Sequence, residues 1–292
     1  MTETADISLL AIDGGGTRCR FALSDADGLH MVEGGRANVS SDFDGTVATI
    51  LHGLSDLATH AGRSVENLTV LPAFVGLAGM TGPAIASRLE KALPLRTARY
   101  VDDRPAAVRG ALGERDGVVA HCGTGSFIAA QIDRHMRLAG GWGPVLGDEG
   151  SAQLLGRRLL WIVLQHVDGF HAETPLIKEV LARFGDAANI VRFAGGATPT
   201  ELGALAPLVT RAAQNGDAAG RFLMAEAAGQ VADCLRQLGW KPGLAICLTG
   251  GISPYYAPYL PEEMQAYIRE PEAEPIQGAV ALALAFAQED MQ

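Results

Sequence analysis

The sequence has few cysteines, and they lie far apart. The 292 residues include four, at positions 19, 122, 234 and 247, and no two form a Cys-x-x-Cys pair. Disulfide-rich domains and zinc sites require cysteines at close, repeated spacings. We therefore expect neither, and predict reduced thiols in a cytoplasmic protein.

Long runs of one residue class are also missing. Lysine and arginine occur singly or in short pairs, and the formal net charge is −10. Nucleic acid is not an expected partner, because binding its phosphate backbone needs a basic patch. No apolar run reaches the ~18 residues of a membrane span, and the first residues lack the basic start of a signal peptide. We therefore expect no membrane association.

Two common nucleotide-binding motifs are absent. The P-loop pattern G-x-x-x-x-G-K-[ST] occurs nowhere in the chain. The dinucleotide-binding fingerprint needs a helix directly after its glycines, whereas residues 18–23 alternate polar and apolar side chains like a strand. A nucleotide site in this chain therefore needs a different phosphate-binding element.

Glycine, by contrast, is abundant, with 36 residues. The apolar run 7–12 leads into Gly14-Gly15-Gly16, and residues 19–23 resume a strand pattern. The same order returns later, where residues 118–120 precede Gly123-Thr124-Gly125 and residues 127–132 are again strand-like. The repeat of strand, glycine turn and strand predicts two related α/β domains.

Apolar spacing predicts the remaining elements. Helices are expected at about 42–61, 82–93, 149–168, 173–184, 199–215, 217–239 and 276–289, and further strands at about 69–77, 97–102 and 244–248. The predicted domains are 1–104 and 105–292, with the last helix packing at the hinge between them. Small residues near its start, Gly278 and Ala279, would permit close approach of a partner helix or simply fill the core.

A glycine turn lets backbone N–H groups approach phosphate oxygens, because no Cβ blocks the way. Beside the first turn, Asp13 could hold Mg²⁺ directly or through water, and the Thr17 hydroxyl could donate to a phosphate. Taken alone, Gly14-Gly15-Gly16 is equally well explained as a structural turn.

Six short motifs together resemble one known family. Their order and spacing are similar to the N-acetylglucosamine kinase branch of the BadF/BadG/BcrA/BcrD ATPase family, within the acetate and sugar kinase, Hsc70 and actin superfamily. The similarity extends over nearly the whole chain. The motifs are Ala11–Thr17, Val101–Asp103, Cys122–Ser126, Gly140–Gly143, Gly147–Ser151 and Thr249–Gly251.

This resemblance implies two ribonuclease-H-like domains with ATP and sugar bound in the cleft between them. It implies an ATP- and Mg²⁺-dependent kinase that phosphorylates a hydroxyl of a hexose or amino sugar, most often N-acetylglucosamine or glucosamine. A homodimer is compatible with it. The residues that it assigns to the nucleotide are Asp13, Gly14, Gly15, Gly16, Thr17, Gly123, Thr124, Gly125, Ser126, Thr249, Gly250 and Gly251.

Asp103 is the candidate catalytic base. It ends an apolar strand and precedes a predicted helix, so capping of that helix by Asp102 or Asp103 is the competing interpretation. The resemblance favours the base. Its neighbour Asp102 would raise the pKa of Asp103 by like-charge repulsion and Arg104 would lower it, and only geometry decides which effect is larger.

The resemblance also implies a set of sugar-binding residues. Asp148 would accept bonds from sugar hydroxyls, although Asp148 and Glu149 also suit the positive end of the helix that follows. Trp142 either lies near the sugar or packs the hinge. His121 stays unassigned, and Cys122 is expected to be a small buried residue. The implied sugar-binding residues are Asn38, Gly79, Asp103, Gly141, Trp142 and Asp148.

Two other functions remain open at this stage. Some members of the broad family are ATPase activators that share an iron–sulfur cluster across a dimer, for which Cys122 offers one ligand without a convincing second. A non-catalytic sugar sensor is the other. Related sugar-responsive repressors carry an N-terminal DNA-binding unit, for which the first strand near residue 7 leaves no room.

Overall fold

The computed structural model describes residues 7–290, which form two α/β units. The first unit contains the described residues up to Glu114 and those from Glu272 onward, and the second contains Arg115–Pro271. This division differs from the boundary between 104 and 105 expected from the sequence. The difference arises because a helix at Arg104–Leu112 packs against the last helix of the chain, and both belong to the first unit.

A five-stranded sheet forms the centre of the first unit. Its first three strands form an antiparallel meander, and the last two lie parallel to the first, in the order β3-β2-β1-β4-β5. The strands are β1 (Leu9–Gly14), β2 (Cys19–Asp25), β3 (Gly28–Gly34), β4 (Pro72–Leu77) and β5 (Thr97–Asp102).

Side-chain alternation along β1 supplies both faces of this sheet with apolar residues. Leu10 and Ile12 belong to a core that includes buried residues of the first and third helices. Leu9 and Ala11 belong to a second core, on the face covered by the last helix. The other helices of the unit are α1 (Phe43–His60), α2 (Val65–Thr69), α3 (Pro83–Ala92) and α4 (Arg104–Leu112).

The second unit repeats the sheet of the first. Its strand order, β10-β9-β6-β7-β8, has an antiparallel meander followed by two parallel strands, as in the first unit. The repeat predicted from the two glycine turns is therefore confirmed. The strands are β6 (Gly117–Cys122), β7 (Ser126–Ile132), β8 (His135–Gly140), β9 (Ala245–Thr249) and β10 (Ile268–Arg269).

Helices make up most of the rest of the chain, as predicted. The helix expected at 199–215 is two helices, which meet shortly before Pro207, a residue with no N–H to donate. The strand expected from 69 begins at Pro72, because Ser64 and Asn67 form a capping box that starts a short helix. The remaining helices are α5 (Ala152–Val167), α6 (Pro175–Phe184), α7 (Ala187–Gly196), α8 (Pro199–Gly203), α9 (Ala206–Gln214), α10 (Ala218–Gln237), α11 (Glu262–Gln265) and α12 (Pro275–Asp290), with a 3₁₀ helix at Ser253–Tyr259.

None of the helices within residues 7–290 is both long and apolar enough to cross a bilayer.

Helices α4 and α12 touch through their glycines. A Cβ added to Gly278 would lie 2.1 Å from the carbonyl oxygen of Ala106 and 2.4 Å from the amide nitrogen of Gly110. Backbone atoms cannot move aside as a flexible side chain can. The small residue at the start of the last helix therefore serves close helix–helix packing within the first unit.

Gly278→Ala is expected to destabilise the protein, because the added methyl overpacks the contact between α4 and α12. We expect a loss of about 1–3 kcal/mol in the free energy of unfolding, measured by urea denaturation and by the fall in Tm. Gly229→Ala in α10 is the matched control. A Cβ there meets no heavy atom within 4 Å, so its stability should stay level or rise by up to about 1 kcal/mol. Equal effects of the two variants would contradict the contact.

Candidate active site

Three parallel strands of the first unit end side by side. In the sheet register Gly14 of β1 lies beside Leu77 of β4, and Leu77 lies beside Asp102 of β5. The next residue, Asp103, thus stands at the same edge as Asp13. Carboxyl ends of parallel strands are where α/β proteins place ligands, so this edge is the candidate site of the first unit.

The segment after β3 returns to this edge and joins it. Asn38 forms a bridge with Ala78, and its side-chain oxygen accepts from the Ser40 N–H at 3.1 Å, the Ser40 hydroxyl at 2.8 Å and the Ser41 N–H at 3.2 Å. Gly79 has φ +80°, and a Cβ there would lie 2.5 Å from the Asn38 Oδ1 atom. The two predicted sugar-binding residues are therefore neighbours, and Asn38 can offer a ligand its amide nitrogen.

The glycines of the first loop have different structural roles. A Cβ on Gly14 would lie 2.5 Å from Leu77 Cδ2, so packing demands a glycine. The Gly15 N–H donates to the Arg18 carbonyl at 2.9 Å, which closes the turn. A Cβ on Gly16 would meet nothing within 4 Å, and Thr17 is exposed. The outer half of the loop thus leaves open space, where a phosphate could approach the backbone.

Asp13 is buried between the loop and a charged neighbour. Its Oδ2 atom lies 3.4 Å from Arg20 Nε, and Arg20 Nη1 lies 3.3 Å from Glu274 Oε2. Burial raises the pKa of Asp13, and the positive charges of Arg20 and Arg18 oppose that rise. No pattern in the sequence indicates Arg20, since only the hairpin register sets it beside Asp13.

The first loop fits a magnesium ion held largely by its nucleotide. Within residues 7–290 no three His, Cys, Asp or Glu side chains gather into a metal-binding group. A Mg²⁺ ion at Asp13 would therefore take its other ligands from phosphate oxygens and water. This is the usual arrangement for Mg²⁺, which keeps several waters and binds one or two carboxylates.

Asp103 precedes α4 without capping it. The residue occupies the N-cap position, yet its side chain makes no capping bond. Asp102 takes the neighbouring donors instead, because its Oδ1 accepts from the Arg104 N–H at 3.0 Å and also from Arg104 Nε. The capping interpretation of Asp103 is therefore wrong, and its carboxyl is left for another role.

The surroundings of Asp103 make it a weak acid. Burial is the main cause, and the negative charges of Asp102 and Asp13 add to it, so that the pKa of Asp103 rises to about 7. Arg104 lowers the pKa by less, since its guanidinium is paired with Asp102. A carboxylate with a pKa near neutrality can accept a proton efficiently at physiological pH.

The second loop is tied to the helix behind it. The Gly123 N–H donates to the Gly125 carbonyl at 2.8 Å, and the Gly123 carbonyl accepts from the Ala152 N–H at 2.8 Å. The Ser126 hydroxyl donates to the Glu149 carbonyl at 2.7 Å, so it holds this loop to the Gly147–Ser151 segment. Thr124, at the tip, is exposed.

Asp148 faces the second loop. It is buried and has φ +65°, which is unusual for a residue other than glycine. A Cβ on Gly125 would lie 3.0 Å from its Oδ2 atom. Burial raises the pKa of Asp148, and bonds from the backbone of Ser126 and Gly143 oppose that rise. Ser151, not Asp148, caps α5, so the Asp148 carboxylate is directed to the loop.

Trp142 lies on an exposed loop. Its exposed fraction is 77%, so it does not pack a core. The flanking glycines Gly140, Gly141 and Gly143 all have positive φ, from +73° to +85°. Only glycine adopts this backbone conformation readily, which explains why glycines flank Trp142 in the Gly-Gly-Trp-Gly sequence.

The turn after β9 contacts the start of the second loop. Gly250 has φ +83°, and a Cβ there would lie 2.4 Å from the Cys122 carbonyl oxygen, which also accepts from the Ile252 N–H at 3.0 Å. Burial raises the pKa of the Cys122 thiol to about 12, so it is a packed, unreactive residue. The structure thus brings Thr249–Gly251 to Gly123–Ser126, as one site of the second unit.

Each unit therefore has the ribonuclease-H-like sheet and the glycine turn of the actin-like ATPase class. The chain belongs to the BadF/BadG/BcrA/BcrD ATPase family, whose model matches residues 10–283. It is similar to a glucosamine kinase of Vibrio cholerae, with 28% identity over 94% of this chain and 95% of that protein. It is also similar to an N-acetylmuramic acid/N-acetylglucosamine kinase of Clostridium acetobutylicum, with 27% identity over 76% of each chain. A solved structure from Chromobacterium violaceum, described as a candidate N-acetylglucosamine kinase, has 30% identity and a TM-score of 0.81 over 95% of this chain and 99% of that one.

The pKa of Asp103 predicts a pH dependence. A base works only when deprotonated, so kcat/KM should rise as the pH rises through about 7 and then level off. Asp103→Asn should lower kcat by about 10²–10⁴-fold. Initial rates between pH 5.5 and 9 test both, with the exposed Asp56→Asn of α1 as the control that keeps the wild-type profile. A wild-type rate in Asp103→Asn would contradict the assignment.

The same variant has a predicted effect on stability. Because the folded pKa is raised, ionising Asp103 costs stability as the pH rises from its ordinary ~3.9 to about 7. Asparagine carries no charge, so Asp103→Asn should melt above the wild type at pH 8, and the difference should shrink toward pH 4. Thermal unfolding at both pH values measures this.

Proposed function

We propose that this chain is an ATP-dependent kinase that phosphorylates a hydroxyl of an amino sugar, either glucosamine or N-acetylglucosamine. The observation that carries the proposal is Asp103, a half-buried carboxyl with a pKa of about 7 beside a glycine loop at one sheet edge. The family and the kinases among the relatives support it. They do not favour the activator alternative. We place the enzyme in the cytoplasm.

Nucleotide binding is assigned to the two glycine loops and the turn after β9. In the first loop the N–H groups of Gly16 and Thr17 would donate to phosphate oxygens, and Thr17 would add its hydroxyl. Asp13 would hold Mg²⁺, which neutralises phosphate charge during transfer. The second loop would contribute the N–H groups of Thr124 and Gly125, with Thr249–Gly251 against the adenosine.

Asp103 is assigned as the base that takes the proton from the sugar hydroxyl. Phosphoryl transfer makes that oxygen more acidic as it bonds to phosphorus, and a nearby carboxylate then takes its proton. Burial and the negative charge of Asp102, which raise the pKa of Asp103, also strengthen it as an acceptor. The Arg104 guanidinium pairs with Asp102, and its positive charge lowers the pKa of Asp103 by less than burial and Asp102 raise it.

Sugar recognition is assigned to the implied residues of each unit taken separately. Asn38 and Gly79 stand at the sheet edge with Asp103, and Asp148 offers a buried carboxylate that can accept from sugar hydroxyls. The exposed Trp142, with Gly141 beside it, would stack against an apolar face of the sugar ring.

A sugar panel tests the proposal. Purified protein with Mg-ATP should release ADP with glucosamine or N-acetylglucosamine in a coupled assay, and the product should be a sugar phosphate by mass spectrometry. No ATP consumption with any hexose or amino sugar would refute the function.

Asp148→Asn tests the sugar-binding assignment. Losing a charged acceptor costs about 1.5–3 kcal/mol, so the KM for the sugar should rise about 10–100-fold while the KM for ATP changes little. The adjacent Glu149→Gln is the matched control, because the Glu149 side chain is exposed. An unchanged sugar KM in Asp148→Asn would remove Asp148 from the sugar site.

A further inference from the structure

His121 lies at the point where three strands of the second unit end. It is the penultimate residue of β6, and in the register it pairs with Phe127 of β7 on one side and Thr249 of β9 on the other. Its Nδ1 atom lies 3.1 Å from Thr249 Oγ1. Its ring stacks on Phe127, with centroids 5.1 Å apart and planes 16° apart.

The imidazole occupies the face of β6 that the helical core does not use. Val118, Ala120 and Cys122 alternate into the core with residues of α5 and α10, so His121 points to the opposite face. Its Nε2 atom lies 3.7 Å from the position of a Cβ on Gly123. One ring therefore borders both the second glycine loop and the turn that begins at Thr249.

A ring held in this way has one orientation. Stacking on Phe127 restricts rotation of the ring, and the bond to Thr249 fixes where the hydroxyl points. Burial lowers the pKa of His121, so the imidazole is neutral, with one nitrogen a donor and the other an acceptor. Filling this space alone would not require an imidazole, since a phenyl ring would stack equally well.

We infer that His121 is a positioning residue for the nucleotide, which holds the Thr249 hydroxyl in register with the Gly123–Gly125 turn. This inference rests on the proposed function, because the two segments it connects are those assigned to ATP. His121 acts through Thr249 and need not touch the nucleotide. Its effect should therefore appear in nucleotide binding and not in sugar binding.

Three substitutions at His121 distinguish the contributions of the two ring nitrogens. His121→Phe keeps the stack and removes both nitrogens, and His121→Gln places an amide near Nε2, away from Thr249. His121→Asn places an amide where Nδ1 was and should restore the bond. We expect the Kd for Mg-ADP, measured by isothermal titration calorimetry, to rise about tenfold in the Phe and Gln variants, as loss of one positioning bond implies. The Asn variant should stay near the wild type.

Thr249→Val supplies the partner test. It should weaken Mg-ADP binding as much as His121→Phe, and the double variant should be no weaker than either, because both remove one interaction. The KM for the sugar should not change in any of them. A wild-type Kd in His121→Phe with a lowered Tm would reduce His121 to packing, and rescue by Gln instead of Asn would overturn the role of Thr249.

The binding assay also keeps the two claims apart. If the wild type binds Mg-ADP but phosphorylates no amino sugar, the proposed function fails and the His121 test can still be read. If the wild type binds no Mg-ADP, the inference about His121 is refuted.

Discussion

The parallel register of β1, β4 and β5 is the constraint on which the candidate site of the first unit depends. Backbone hydrogen bonds set Gly14, Leu77 and Asp102 side by side, and every functional group of this unit is placed relative to that row. Asp13 comes one residue before the row and Asp103 one residue after it. The two carboxyls consequently stand close enough for the charge of Asp13 to raise the pKa of Asp103, in addition to the larger effects of burial and of Asp102. The raised pKa of Asp103 thus depends in part on sheet geometry.

The second unit has the same sheet topology as the first. Its glycine loop is held by two hydrogen bonds. The carbonyl of Gly123 accepts from the N–H of Ala152 in α5, and the Ser126 hydroxyl donates to the carbonyl of Glu149, next to Asp148. In both units the protein satisfies the inner atoms of the loop by its own bonds. The outer face of the first loop, at Gly16, remains open. A loop built in this way is rigid before a ligand arrives, which lowers the entropy cost of binding.

Local patterns in the sequence were sufficient where the physics is local. The glycine turns and the strand that follows each lie within a few residues of what they govern. Gly79 is an intermediate case, because its glycine is explained by φ +80° and by Asn38, far away along the chain. Asp103 had two interpretations, base or helix cap, and the missing capping bond of its side chain argues against the second.

The sequence by itself determined the repeated strand–turn–strand pattern, the family and the residues of both loops, because short motifs at set spacing carry this information. Only the tertiary structure decided that α12 packs on α4 in the first unit, that Asp102 takes Arg104 away from Asp103, and that His121 binds Thr249. The physical reason is the same in each case. These contacts depend on strand register, on the burial of charge, or on the packing of helices that are far apart in the sequence. No local pattern encodes the distance between two side chains that the fold brings together.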